Sequence, residues 1–116
     1  MKVLIAGSRS IESFVLTPYI PQNTCLIISG GAKGIDTLAE QYADLHKISK
    51  LILRPNYQRY GKAAPLKRNE SMVDLADIVL VIWDGKSRGC QHTMQYALKK
   101  EKKLIVVKQN DPAAMP

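Results

Sequence analysis

Apolar residues along this chain fall in short, mostly continuous runs separated by mixed polar stretches. Lys2–Ala6, Thr24–Ile28, Ile78–Trp83 and Leu104–Val107 are rich in β-branched residues, and Lys50–Leu53 is a fifth, weaker run. Continuous runs of this length predict strands covered on both faces, as in a parallel sheet. Between them the period lengthens. Ile35–Lys47 sets Leu38, Ala39, Tyr42, Ala43 and His46 at helical spacing; Ala64–Leu75 carries Leu66, Met72 and Val73; Arg88–Glu101 carries Met94, Ala97 and Leu98. The connection Ser10–Gln22 is less regular, and Pro18 and Pro21 end any helix that begins near Ile11.

Alternation of strand and helix predicts an α/β fold, a three-layer Rossmann-like sandwich with right-handed crossovers. The expected sheet is parallel and five-stranded in the order 3-2-1-4-5. The chain of 116 residues fits one domain, expected over residues 1–109, with residues 110–116 as a C-terminal tail. An apolar content of 46% with 23% charged residues argues against disorder.

Cysteine usage and charge narrow the setting. Cys25 and Cys90 make neither a disulfide framework nor a zinc spacing, which suits a reducing cytoplasm; no metal is expected. The first apolar run is too short for a leader or a membrane span, so no membrane partner is expected. A formal net charge of +7 biases the domain toward anionic partners, with nucleotides, nucleic acid and acidic proteins all in range. Lys99, Lys100, Lys102 and Lys103 are accounted for differently, as cations suited to a helix C-terminus.

The candidate chemistry lies where strands end. In open α/β sheets, ligands bind beyond the carboxyl ends of the strands, near the point where strand order reverses. Gly7-Ser8-Arg9-Ser10 follows the first strand and offers a tight turn, two hydroxyls and a forked cation suited to phosphate. Ser29-Gly30-Gly31-Ala32-Lys33-Gly34-Ile35-Asp36 follows the second, where glycines precede the free amides and positive dipole of a helix start. Asp36, in the first turn of that helix, either meets a ribose hydroxyl or complements the dipole. Asp84-Gly85-Lys86-Ser87-Arg88-Gly89-Cys90 follows the fourth strand, with two cations and a hydroxyl before another helix. Neither the dinucleotide fingerprint nor a P-loop is present, and no cofactor is implied. A fourth segment, 54–69, is a long basic loop running into a helix. There Tyr57 or Tyr60 is placed to stack on a base, and Lys62 and Arg68 to reach phosphate.

Other residues invite competing readings. Cys90, near a helix start and beside Arg88, has the surroundings of a reactive thiol or merely those of a small turn residue. Trp83 is a pocket wall or core, and His46 belongs to an apolar helix face.

Taken together, Gly7-Ser8-Arg9, Ser29 through Ala39, Gly61-Lys62-Ala63-Ala64-Pro65 with Arg68-Asn69 and Met72, and Ala76-Asp77 with Trp83 through Gly89 resemble the SLOG superfamily. That superfamily's name joins DNA-processing protein A with the cytokinin-activating phosphoribohydrolases, and the match looks like its YspA-like branch. The resemblance spans roughly residues 3 to 107. It implies a Rossmann-like fold that binds a nucleotide or nucleotide-derived molecule, and relatives that are often homodimers. The phosphoribohydrolase relatives carry P-G-G-x-G-T-x-x-E after the fourth strand. Aligned on Gly89, their threonine is Cys90 here and their glutamate is Thr93. A hydroxyl does not replace the carboxylate that stabilises a developing oxocarbenium ion, which leaves Asp36, Glu40 and Asp84 as substitutes.

The expected ligand-binding set is therefore Gly7, Ser8, Arg9, Ser29, Gly30, Gly31, Gly34, Asp36, Lys62, Arg68, Asn69, Asp84, Ser87, Arg88 and Gly89. The expected function is binding of a phosphate-bearing nucleotide, as a sensor. The alternatives are N-glycosidic cleavage of a nucleotide and a nucleic-acid-binding module.

Overall fold

The computed structural model describes residues 1–109; the expected tail, residues 110–116, lies outside the described residues. Five parallel strands form one sheet in the order β3-β2-β1-β4-β5. They are β1 (Lys2–Gly7), β2 (Leu26–Ser29), β3 (Ser49–Ile52), β4 (Ile78–Trp83) and β5 (Lys103–Lys108). The helices are α1 (Ile35–Leu45), the single turn α2 (Tyr57–Tyr60), α3 (Ala64–Leu75) and α4 (Arg88–Lys99). This is the expected Rossmann-like sandwich and strand order.

The continuous apolar runs are explained by the two cores they serve. In β1, Val3 and Ile5 face one side while Leu4 and Ala6 face the other; in β4, Ile78, Leu80 and Ile82 alternate with Val79 and Val81 in the same way. On the first side these residues pack against Ile35, Ala39 and Ala43 of α1. On the second they pack against Met72 and Val73 of α3 and Cys90 and Ala97 of α4.

The first crossover departs from the expectation of a helix beginning near Ile11. The segment from Ser8 to Cys25 holds a single 3₁₀ turn, Thr17–Tyr19, and no α-helix. Ile11, Leu16 and Ile20 are buried against the same core as α1, at spacings of five and four that no one helix face supplies. Pro18 sits inside the short turn. His46 also differs from expectation. It is an exposed residue just past α1, its ring tilted 32° against that of Tyr42 with centroids 4.1 Å apart. The basic loop of 54–69 is mostly helical: α2 and a 3₁₀ turn, Gly61–Ala63, lead directly into α3.

No described helix is long and apolar enough to cross a membrane.

Candidate functional site

Strand order reverses between β1 and β4, and a cleft of about 440 Å³ opens there beyond their carboxyl ends. All three glycine-containing turns reach it. Gly7, Arg9 and Ser10 come from the first, Ala32 and Asp36 from the second, and Asp84, Ser87, Gly89 and Cys90 from the third. Helix α3 closes the remaining side with Pro65, Leu66, Arg68, Asn69 and Met72, and Thr93 of α4 completes the lining.

Close backbone approach brings the turns together. At Gly7, a Cβ would lie 2.5 Å from the Ile35 Cβ and 2.6 Å from the Ile82 carbonyl oxygen, so only glycine lets the start of α1 rest on β1. Gly34 combines a φ of +74° with a Cβ position 2.5 Å from the Ser8 carbonyl oxygen, which brings the second turn against the first.

Hydrogen bonds then tie the first turn to the third. The buried Ser8 donates its amide to the Ile82 carbonyl (3.0 Å) and accepts the Asp84 amide on Oγ (2.9 Å). Asp84 accepts the Lys86 and Ser87 amides on Oδ1 (2.8 and 2.9 Å) and the Ser10 hydroxyl on Oδ2 (2.9 Å). Desolvation pushes the Asp84 carboxyl upward, but these amides and hydroxyls outweigh it and hold the pKa at about 2. Ser87 caps α4 by accepting the Cys90 amide (3.4 Å), and the Trp83 indole secures the turn by donating to the Ser87 carbonyl (3.1 Å). The amides of Arg88 and Gly89 have no protein partner among the described residues. A Cβ at Gly89 would meet nothing closer than 3.9 Å, so this helix start is open to a ligand.

The charged side chains of the cleft play different parts. Arg9 is exposed at its rim. Arg68 is half-buried and committed to structure: Nη1 donates to the carbonyls of Gly30 (2.8 Å) and Leu53 (3.2 Å), and Nε to Asn69 Oδ1 (2.8 Å). Burial lowers its pKa and Asp36 opposes that fall. Asp36 is buried, with Oδ2 accepting the Ala32 amide (3.1 Å). Burial raises its pKa against the Ala32 hydrogen bond and the Arg68 charge. Among the described residues no group of three or more metal-ligating side chains occurs.

Of the expected set, Gly7, Arg9, Asp36, Arg68, Asn69, Asp84, Ser87 and Gly89 line the cleft. Ser8, Ser29, Gly30, Gly31 and Gly34 stand behind it as framework. Ser29 is fully buried, donating to the Asp36 carbonyl and accepting the Gly31 amide, both at 3.4 Å. Lys62 and Arg88 are exposed and do not line the cleft. Tyr57 and Tyr60 also stand outside it; Tyr60 borders a smaller cavity of about 130 Å³ with Arg54 and Lys67.

The surroundings of Trp83, Cys90 and Thr93 narrow what each can do. Trp83 is not in the cleft wall but braces the turn beneath it. The Cys90 thiol is buried, 3.8 Å from Ser8 Oγ, and burial pushes its pKa up, opposite to an activated nucleophile. Thr93 does face the cleft, but its hydroxyl donates to the Gly89 carbonyl (3.0 Å). Of the substitute carboxylates, Asp36 and Asp84 line the cleft and Glu40 does not.

Sequence reasoning assigned Leu66 to a core-facing helix side and did not single out Arg54. Arg54 donates to the Gly31 carbonyl (3.0 Å), bracing the second turn from β3. A cation directly after a strand, level with a glycine turn on the neighbouring strand, is the signal for it.

No protein-family model matches the chain. It is 31% identical over 115 residues to the gene 61 protein of Mycobacterium phage D29, an alignment covering 84% of this chain and 89% of that protein. In three dimensions it resembles the X-ray structure of DNA processing protein A (DprA) from Streptococcus pneumoniae, with a TM-score of 0.71 and 19% identity. That match covers 96% of this chain and 51% of the other, so the chain spans about half of DprA's length. The likeness is one of fold.

Proposed function

The chain belongs to the family of the gene 61 protein of Mycobacterium phage D29, and from that premise we propose that it binds a nucleotide or nucleotide-derived, phosphate-bearing ligand in the cleft between β1 and β4. We place it, on the motifs quoted above, on the YspA-like branch. One observation carries the reading: three separate strand-end turns meet at a single cleft that offers a rim arginine, Arg9, and the open amides of α4. Backbone amides at a helix start, backed by the dipole and a forked cation, are the elements that hold phosphate. The apolar side of the cleft, from Pro65, Leu66 and Met72, suits a base or sugar face.

Binding rather than glycosidic cleavage is the activity this cleft supports best. Position 93, where hydrolytic relatives carry their glutamate, has a threonine whose hydroxyl is engaged by the backbone. A second reading, nucleic-acid binding, is favoured by one observation. Leu45 through Asn69 contains no acidic residue, is rich in lysine and arginine, and leaves Tyr57 61% exposed. The name of the DprA structure points the same way.

A thermal-shift and calorimetric screen separates the two. Nucleoside mono- and diphosphates, cyclic nucleotides and single-stranded DNA are each added to the whole chain. A mononucleotide at a hundred times its Kd stabilises the fold by about 2.7 kcal/mol. Arg9→Ala is expected to weaken that binding roughly tenfold or more, the loss of one charge-assisted contact. Stabilisation by DNA alone, with a steep salt dependence, or an Arg9→Ala variant that binds mononucleotides like the wild type, would refute the cleft reading. Release of free base or ribose phosphate would identify an enzyme instead.

A further inference from the structure

Asp36 holds a position that the phosphate-binding account does not use. It is only 7% exposed, lines the cleft, and bonds the Ala32 amide through Oδ2. Its Oδ1 has no partner among the described residues. No side-chain nitrogen or oxygen sealed from solvent lacks a partner there, so this free oxygen opens onto the cleft. A ligand hydroxyl that reaches it replaces solvent there and gains a charge-assisted hydrogen bond.

Arg68 stands across Gly30 from Asp36. A Cβ on Gly30 would lie 2.7 Å from Arg68 Nη1 and 3.0 Å from Asp36 Oδ2, so the two charges flank one α-carbon. They nevertheless form no ion pair. With Nη1 and Nε engaged by Gly30, Leu53 and Asn69, Nη2 of Arg68 is the donor without a partner among the described residues. Asp36 and Arg68 both line the cleft, the one with an unused acceptor and the other with an unused donor.

That pairing selects a chemistry. Phosphate has only acceptor oxygens when ionised and is repelled by a carboxylate, so it does not belong against Asp36. Two neighbouring hydroxyls fit, one donating and one accepting. We propose that Asp36 is a specificity-determining residue: Oδ1 accepts from one hydroxyl of a ribose cis-diol while Arg68 donates to the other, so that the cleft selects ribonucleotides over deoxyribonucleotides. This rests on the nucleotide-binding reading above.

Calorimetry on the whole chain tests it with AMP, GMP, CMP and UMP and their 2′-deoxy and 3′-deoxy forms. Removing either hydroxyl is expected to weaken wild-type binding about 10- to 100-fold, as for a hydrogen bond to a charged group. Asp36→Asn keeps an acceptor for the Ala32 amide but turns an NH₂ toward the ligand. In that variant, one of the two deoxy penalties is expected to disappear, a double-mutant cycle with the ligand as one partner. Equal wild-type affinity for ribo and deoxy forms, a preference that follows guanine rather than the sugar, or both penalties surviving in Asp36→Asn would overturn the proposal and leave nucleotide binding standing. Failure of every nucleotide to bind would instead remove the reading on which it rests. The wild-type comparison needs no variant to fold.

Discussion

Replacing Asp84 by Asn tests whether a single carboxylate knits the cleft together. The substitution keeps the side-chain shape and one acceptor oxygen for the Lys86 and Ser87 amides, and it removes the charge that those amides and the Ser10 hydroxyl converge on. A carboxyl held at about 2 instead of 3.8 corresponds to a ceiling of about 2.4 kcal/mol at neutral pH. Asp84 stands at the mouth of the cleft, where water screens it, and a discount of about half leaves roughly 1 kcal/mol, or about 4 °C in Tm. The folded-state pKa is depressed. The contribution is therefore complete well above pH 3.8 and is lost as pH falls through about 2. Urea denaturation followed by fluorescence of Trp83, the single tryptophan and a neighbour of this turn, reads the effect directly. The wild type is expected to exceed Asp84→Asn by about 1 kcal/mol at pH 7, and by about half that at pH 3. A variant as stable as the wild type at pH 7, or a gap unchanged between pH 7 and pH 3, would refute the assigned role.

Two further substitutions probe the same architecture. Gly7→Ala forces a methyl against the Ile35 side chain and the Ile82 carbonyl, at 2.5 and 2.6 Å. Neither can yield, because Ile35 is fully buried and the Ile82 oxygen holds the Ser8 amide. A loss of roughly 3 kcal/mol or more in denaturant unfolding is expected, and a change under 1 kcal/mol would show that α1 does not rest on β1 as described. Asp36→Asn is expected to raise Tm at pH 7 without ligand, because burial lifts the Asp36 pKa and its charged form costs stability. That cost is present above the raised pKa and is relieved as pH falls through it toward 3.8, so the gain should shrink in acid. An equal or lower Tm at pH 7 would mean that the carboxylate is not a strained feature of the unliganded fold.

Much of this architecture is legible in the chain itself. Continuous β-branched runs state that a strand is covered on both faces, and their alternation with helical periods leaves few topologies. The bounds of α3 follow from that patterning, and the sheet has the order expected of a Rossmann-like topology. Periodicity says nothing reliable about a crossover built without it. Between Ser8 and Cys25 the chain buries Ile11, Leu16 and Ile20 one at a time from irregular backbone, so no helix forms where a short one was expected. Glycine-rich strand ends likewise marked the cleft, because a tight turn before a helix start is a local requirement.

What each cleft residue does there depends on contacts between segments far apart in sequence, and only the tertiary structure decides those. Arg68 reads as a free cation in the chain, but α3 delivers it to the carbonyls of Gly30 and Leu53. Cys90 has the local neighbours of an activated thiol, yet packing beneath Ser8 buries it and reverses the direction of its pKa. Asp36 offered two readings that sequence alone left level. The fold adds what the chain alone does not state: Asp36 is buried, it accepts the Ala32 amide, and Arg68 stands across Gly30 from it. Local sequence determined where the turns lie and what groups they carry, since backbone preference and hydrophobic period act over a few residues. Desolvation and charge act through space, so which of those groups stay available to a ligand is decided by the folded chain.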